Sequence, residues 1–371
     1  MNTQKTTFLF GLICLTATLA CQRDEDFIES APKTSLVLDQ VGTGGETLNP
    51  NEQLGRVLFY DKALSDNHSV SCGSCHKQQF AFADNKKLSL GMEGLPAARN
   101  TPPIPNIRFS IVGISPDLTF QNHQKFFWDG RVDHINSALT MPFFNHVEMG
   151  IDHTTELINR VQSRNYYADL FTQAYGDEEV NMDRIAQGLL AFIQQLQVND
   201  TPFDERNFDG SSIFSLAKPA GRGLALFFGK YDCGSCHNLH SPIGYTSSPE
   251  SDLEMVNIGL DHTYSDAGRA EVTNNLADRG KFKIPNLRNV TLTAPYMHDG
   301  RFSTLDEVLE HYSTGVANHP NLDARLKKPN GQPIRLNITE QDKKDLIAFL
   351  NTLTSKDLIT NPLLSNPFIK N

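Results

Sequence analysis

Cys72-Gly73-Ser74-Cys75-His76 and Cys233-Gly234-Ser235-Cys236-His237 are the same five residues written twice in one chain. Two thiols separated by two residues can add across the vinyl groups of a porphyrin, and the adjacent imidazole then reaches the iron from one side. A Cys₄ zinc site would have to bring the two pairs together from far apart in sequence and would need neither histidine. A thioredoxin-like redox pair would need a β-branched strand leading into the motif, and neither copy has one. The spacing therefore predicts two covalently attached haems, with Cys72, Cys75, Cys233 and Cys236 as thioether donors and His76 and His237 as iron ligands.

Working outward, the motifs sit inside a larger duplication. Gly55-Arg56-Val57-Leu58-Phe59-Tyr60 precedes the first and Gly223-Leu224-Ala225-Leu226-Phe227-Phe228 the second. Downstream, Leu189-Leu190-Ala191-Phe192-Ile193-Gln194-Gln195-Leu196 matches Leu346-Ile347-Ala348-Phe349-Leu350-Asn351-Thr352-Leu353, both with apolar residues at helical spacing. Thr339, with Asp342 three residues on, suits an N-cap for the last of these helices. Each half reads as a helix, a haem motif, a long irregular region and a closing helix. The irregular stretches, 84–126 and 238–295, are rich in Pro, Gly and Asn, and loops of that length usually bind something or carry function. The expected class is mainly α, two cytochrome c-like haem domains with little sheet, over 46–205 and 206–371. Residues 202–215, with Pro, Asp and Gly, read as a turn-rich connection.

The first residues read as a targeting segment: Lys5, an apolar run from Phe8 to Ala20, then Cys21. Residues 1–20 resemble a bacterial lipoprotein signal, with Cys21 as the lipidated first residue of the mature chain. Leu19 sits one place closer to the cysteine than is usual, and ordinary cleavage after Ala20 is the alternative. Either reading predicts export to the periplasm. Residues 21–45 are polar and include Asp24-Glu25-Asp26, as expected of a flexible tether. Cys14 and Cys21 lie in this leader, so with four cysteines bound to haem none remains for a disulfide. A formal net charge of −10 argues against nucleic acid as a partner.

Three further runs carry a specific likeness: Phe127-Trp128-Asp129-Gly130-Arg131, Val147-Glu148-Met149-Gly150, and Leu292-Thr293-Ala294-Pro295-Tyr296-Met297-His298-Asp299-Gly300. In order and spacing they resemble the bacterial di-haem cytochrome c peroxidase family, which includes the tryptophan-modifying enzyme MauG. The resemblance extends from about residue 50 over nearly all the remaining chain. It implies that the haem at His76 is the peroxidatic one and that the haem at His237 relays electrons to it. It further implies that Glu148 is the distal acid–base carboxylate and that Trp128, the chain's single tryptophan, lies between the haems. Asn100, Thr293 and Pro295 match the family's calcium site. Hydrogen peroxide would be the substrate, a small redox protein (a cytochrome c or a cupredoxin) the donor, and a homodimer the assembly, by analogy.

The sequence departs from the family's standard pattern at three places. Met92 stands where the standard peroxidases have a distal histidine, which leads to the hypothesis that this iron needs no reductive unlatching before it meets peroxide. A methionine there can ligate iron or simply pack. Tyr312 stands where the second haem has a methionine ligand, as in MauG; His311, Met297 and His298 are rival ligands. Ala138 replaces a glutamine near the reactive haem, while Pro142 is retained. The competing readings are a MauG-like oxidase acting on a partner's side chain and a non-catalytic electron carrier.

Overall fold

The structure, a computed structural model, describes residues 36–38, 40, 42, 45–105, 125–208, 216, 218–237, 239 and 255–368. The segment read as a targeting signal and Cys21 lie outside these, as do parts of both long irregular stretches. The described chain is helical, with one two-stranded antiparallel pair, β1 (Met255–Val256) against β2 (Phe282–Lys283).

In the first half, α1 (Pro50–Tyr60) begins at a capping box in which Asn49 and Glu52 exchange side chain-to-backbone hydrogen bonds, and proline occupies its first turn. Three helices follow in the chain, α2 (Ile135–Thr140), α3 (Thr154–Gln162) and α4 (Asn165–Tyr175), and α1 crosses the closing helix of that half, α5 (Met182–Ile193). The sequence expectation omitted α3 and α4. They complete the first core with Leu157, Val161, Tyr167 and Phe171. In the second half, α6 (Pro202–Phe208) is followed by α7 (Lys218–Ala225), α8 (Leu305–Glu310) and α9 (Glu340–Asn351). Thr339 caps α9 as expected, its hydroxyl accepting the Asp342 N–H at 3.1 Å, while the Asp342 carboxylate turns to Lys230 and Tyr231.

The duplication holds at the level of single atoms. A Cβ on Gly55 would lie 1.8 Å from the Gly188 carbonyl oxygen and 2.8 Å from Phe192 Cβ; on Gly223 it would lie 1.9 Å from the Asp345 carbonyl oxygen and 2.7 Å from Phe349 Cβ. Phe59 and Phe192 pack as tilted rings with centroids 5.3 Å apart, and their counterparts Phe227 and Phe349 do so at 5.2 Å. Glycine lets each opening helix touch the backbone of its closing helix, and a methyl group would force the pair apart. Gly223→Ala should therefore destabilise the protein by about 1–3 kcal/mol. Gly55→Ala should do the same, both read as a lowered denaturation midpoint in urea.

Two expectations need correction. Residues 202–208 are helix rather than turn, because Phe203 is buried in the second core and its N–H donates to the Thr352 carbonyl. The end of the segment read as a flexible tether is held: Val37 N–H donates to the Pro367 carbonyl, the Arg56 guanidinium meets the Val37 carbonyl and the Gln40 side chain, and Gln53 donates to the Leu38 carbonyl.

Residues 357–368 cross back over the first half. Leu358 and Leu364 enter its core, the Tyr60 hydroxyl donates to the Leu364 carbonyl at 2.7 Å, and Gln78, two residues past the first haem motif, donates to the carbonyls of Leu358 and Asn361. Among the described residues no helix is long and apolar enough to cross a membrane.

Candidate active site between two haem motifs

Cys72–Cys75 form a single helical turn, entered through the Ser71 N–H donating to Ser74 Oγ at 2.9 Å. The turn delivers His76, whose Nδ1 meets the Phe82 carbonyl oxygen at 2.8 Å; in the second half His237 Nδ1 meets the Pro285 carbonyl oxygen at 3.2 Å. A carbonyl can only accept, so each Nδ1 carries the proton and each Nε2 presents a lone pair. Burial holds both imidazoles neutral, lowering His76 below the ordinary range and His237 to about 4. Gly73 packs against Tyr60 and Gly234 against Phe228, each at 2.4 Å from where a Cβ would stand, so each motif lies flat on the aromatic ring ending its opening helix.

The donor set fits a thioether-bound haem in each half. The four cysteines form no disulfide, and each pair adjoins a neutral, oriented imidazole. Burial pushes the Cys72 and Cys233 thiols up to about 12, which is unsuited to an exchanging redox pair. Among the described residues no three His, Cys, Asp or Glu side chains come together to hold a metal ion, which removes the Cys₄ zinc alternative. Among the described residues no strand leads into either motif.

Glu148 lies on a tight turn over residues 145–150, which closes at Gly150 with φ +69°. Its carboxyl is half-buried and lines a cleft of roughly 780 Å³ with Arg99, Phe127, Arg131, Pro142, Phe144 and Asn145 from the first half and Asp266 and Glu271 from the second. Burial raises the Glu148 pKa above the ordinary carboxyl range, and the Arg131 guanidinium opposes the rise. Arg131 is itself held on Asp129 at 3.0 Å and lies over the Phe127 ring at 3.9 Å. Arg99 ties the halves together across the cleft, pairing with Asp129 on one side and with Asp266 at 2.7 Å on the other.

Trp128 also sits at this junction. Its indole N–H donates to the Asn100 carbonyl at 2.8 Å, Asn100 N–H donates to the His298 carbonyl at 2.7 Å, and Trp128 accepts from Lys283 N–H at 2.8 Å. Asn100 is buried, with its side-chain amide donating to the carbonyls of Lys86 and Lys87, an arrangement that leaves Oδ1 pointing away from both; Thr293 is buried, and Ala294–Pro295 is a cis peptide. Met92 is buried with its thioether against Gly150, beneath the Glu148 turn. Ala138 packs beside Ile135 in a small satellite cluster.

Tyr312 occupies a π-helical turn, His311–Gly315, that continues α8. Such turns reorient a side chain within a helix. Burial and the neighbouring Cys236 and Cys233 raise the Tyr312 pKa, so the residue lies against the second haem motif. No hydrogen bond of its hydroxyl occurs among the described residues. Of the rival ligands, His311 is committed through Nε2 to the Ile258 carbonyl at 3.0 Å. His298 is stacked on Phe282 with centroids 3.7 Å apart.

The comparisons with known proteins agree with this geometry. A family model for di-haem cytochrome c peroxidases matches residues 49–211. The methylamine utilization protein MauG of Methylorubrum extorquens is 32% identical over 317 residues, covering 84% of this chain and 80% of that protein. The cytochrome c551 peroxidase of Nitrosomonas europaea is 30% identical, covering 81% and 79%. This chain belongs to the di-haem cytochrome c peroxidase/MauG family. A crystal structure of a MauG-like protein associated with microbial copper homeostasis superposes with a TM-score of 0.72 at 29% identity, covering 93% of this chain and 99% of that one. Membership makes the chain an oxidoreductase with two c-type haems, which the two neutral, oriented histidines suit.

Two parts of the candidate site escaped the sequence reading. Asn145 holds Glu148, donating from Nδ2 to Oε1 at 3.1 Å. An Asn two places before the N–H that it caps is a recognisable turn signal, and it was available in Asn145-His146-Val147. The Arg99–Asp129–Asp266 bridge joins residues remote in sequence and left no local sign.

Proposed function

We propose that this chain reduces hydrogen peroxide to water, taking two electrons and two protons per molecule, with electrons from a small redox protein entering at the second haem. Cys72, Cys75 and His76 would hold the first haem, and Cys233, Cys236 and His237 the second. The observation that carries the reading is the half-buried Glu148 carboxyl, with its raised pKa, facing a cleft on a rigid turn. The iron of the first haem supplies the redox chemistry that cleaves the O–O bond when bound. Glu148 takes a proton from one peroxide oxygen and returns it to the other, which must leave as water. Pro142 and Phe144 line the cleft beside that carboxyl, and Trp128, joined to the second half through the Lys283 N–H, would lie on the electron's path. Met92, packed against Gly150, supports an iron at His76 that needs no unlatching. An oxidised-state spectrum showing two nitrogen ligands on that iron would refute this.

Asn100 Oδ1 with the Thr293 and Pro295 carbonyls suits a calcium ion, hard oxygen donors for a hard cation. Export, a lipid anchor on Cys21 and a homodimer belong to the same proposal. The test is steady-state turnover of peroxide with reduced cytochrome c; an electron carrier would show none.

Tyr312 favours a second reading, the MauG-like oxidase, because its hydroxyl is buried beside Cys233 and Cys236 and finds no protein partner among the described residues. As ligand to the second iron, a phenolate favours the oxidised state. Tyr312→Phe should then raise the second haem's potential by on the order of 0.1 V, a fraction of the roughly 0.8 V that axial ligands span. A redox titration with an unchanged potential removes Tyr312 from the iron. Prolonged retention of oxidising equivalents after peroxide is added without a donor would select the oxidase reading.

A further inference from the structure

We infer that Asn145 is a positioning residue that confines the acid proton of Glu148 to a single oxygen, Oε2. The inference rests on Glu148 being the acid–base group. The orientation of the Asn145 amide is decided by its two partners. Its Oδ1 accepts the Val147 N–H at 2.9 Å, so the group facing Glu148 Oε1 at 3.1 Å is the NH₂. An NH₂ donates and cannot accept. Oε1 therefore accepts whether Glu148 is ionised or neutral, and because the carbonyl oxygen of a carboxylic acid is the better acceptor of its two oxygens, a proton on the carboxyl is favoured on Oε2. A free carboxyl has two equivalent oxygens and a rotating proton; here one oxygen is withdrawn and the other is left for peroxide.

The same residue builds the turn that carries Glu148. The Asn145 carbonyl accepts the N–H groups of Glu148, Met149 and Gly150 at 3.0, 3.0 and 2.9 Å. From the opposite side, Gly91 abuts the Val147 carbonyl, which accepts the Met92 N–H at 2.9 Å. These bonds fix the Glu148 backbone relative to Asn145, and the Asn145 amide then holds the carboxyl by Oε1. A neutral donor on the carboxyl also favours its ionised form and works with Arg131 against the effect of burial. The other titratable or charged groups lining the cleft with Glu148 are Asp129, which holds Arg131, His146 on the same turn, Arg99, and Asp266 and Glu271 from the second half. Cys72 and Cys75, also near, carry no titrating thiol once bound to haem.

Asn145→Asp tests this, because it retains an acceptor for the Val147 N–H and replaces the donor by a second carboxylate. In the full holoprotein, the acid limb of kcat for hydrogen peroxide should move up by about one pH unit, with KM little changed. Near neutral pH this lowers kcat by up to about tenfold, and the rate should recover on raising the pH. Asn145→Ser can still serve the Val147 N–H but leaves Glu148 without its donor. It should move the limb in the same direction by less, and it decides the matter if the aspartate variant fails to take up haem. A loss of rate uniform across pH in these variants, with the limb unmoved, overturns the inference. Glu148→Gln in the same assay separates the two claims. Full activity in Glu148→Gln would mean that the acid–base reading itself has failed. An inactive Glu148→Gln beside an unmoved limb in Asn145→Asp would mean that only the positioning role has.

Discussion

Glu148→Gln lowers the turnover number for hydrogen peroxide by about 10²–10⁴-fold, the usual contribution of a positioned acid–base group, while haem content and the reduced spectrum stay those of the parent. The amide keeps the size and the acceptor oxygen facing Asn145 but cannot carry a proton between the two oxygens of peroxide. Burial raises the Glu148 pKa, so the carboxyl remains neutral to a higher pH than an exposed glutamate, with Arg131 restraining the rise. If ionised Glu148 must first take a proton, the rate climbs as pH rises through that raised pKa and falls below it. Stability has the opposite sign. A carboxyl with a higher pKa folded than unfolded favours the fold below its unfolded pKa and loses that contribution as pH rises through the folded one. Glu148→Gln should therefore unfold at a slightly higher temperature than the parent near neutral pH, the common exchange of stability for activity. A variant that lost stability and kept turnover would reassign Glu148 to packing.

Asp204→Ala should cost about 3–5 kcal/mol in denaturant unfolding of the holoprotein. Asp204 and Arg288 form a bidentate pair at 2.5 and 2.6 Å, with side chains 8% and 6% exposed, and Asp204 also accepts the Thr201 hydroxyl at 2.7 Å. Removing the carboxylate leaves a guanidinium buried without its counter-charge, which is why one deletion costs far more than an exposed pair is worth. The damage should spread toward the second haem. Arg288 N–H donates to Asn286 Oδ1 at 2.8 Å, next to Pro285, whose carbonyl orients His237. The second haem's potential should shift while the first haem's stays. Adding Arg288→Met to Asp204→Ala should recover most of the lost stability; failure to do so would place the cost in the α6 helix rather than in the stranded charge.

What was legible in the sequence was whatever repeats or is local. Gly55 and Gly223, Phe192 and Phe349, and the two Cys-x-x-Cys-His runs could be paired by eye, and each pair occupies equivalent places in its half. Thr339 announced the start of α9 because a cap acts over three residues. Residues 202–208 were misread because Pro, Asp and Asn suit both a turn and a helix's first turn, and burial of Phe203 against Phe349 decided between them. The Arg288–Asp204 pair and the Arg99 bridge could not be read at all, since neither spacing nor periodicity marks a charge's remote partner. Met92 is the middle case: the sequence offers both packing and iron ligation for it, and its thioether lies near Gly150.

The return of residues 357–368 onto the first half has a consequence for how the molecule is made. Leu358 and Leu364 plug a core whose other walls are synthesised far earlier, and Gln78 waits for the Leu358 and Asn361 carbonyls. The half that emerges first from the ribosome is thus the half that is finished last. A nascent chain interrupted after Leu353 would hold every residue of the second core yet leave the first core without Leu358 and Leu364, so a short deletion at the far end should injure the earlier cofactor site rather than the adjacent one.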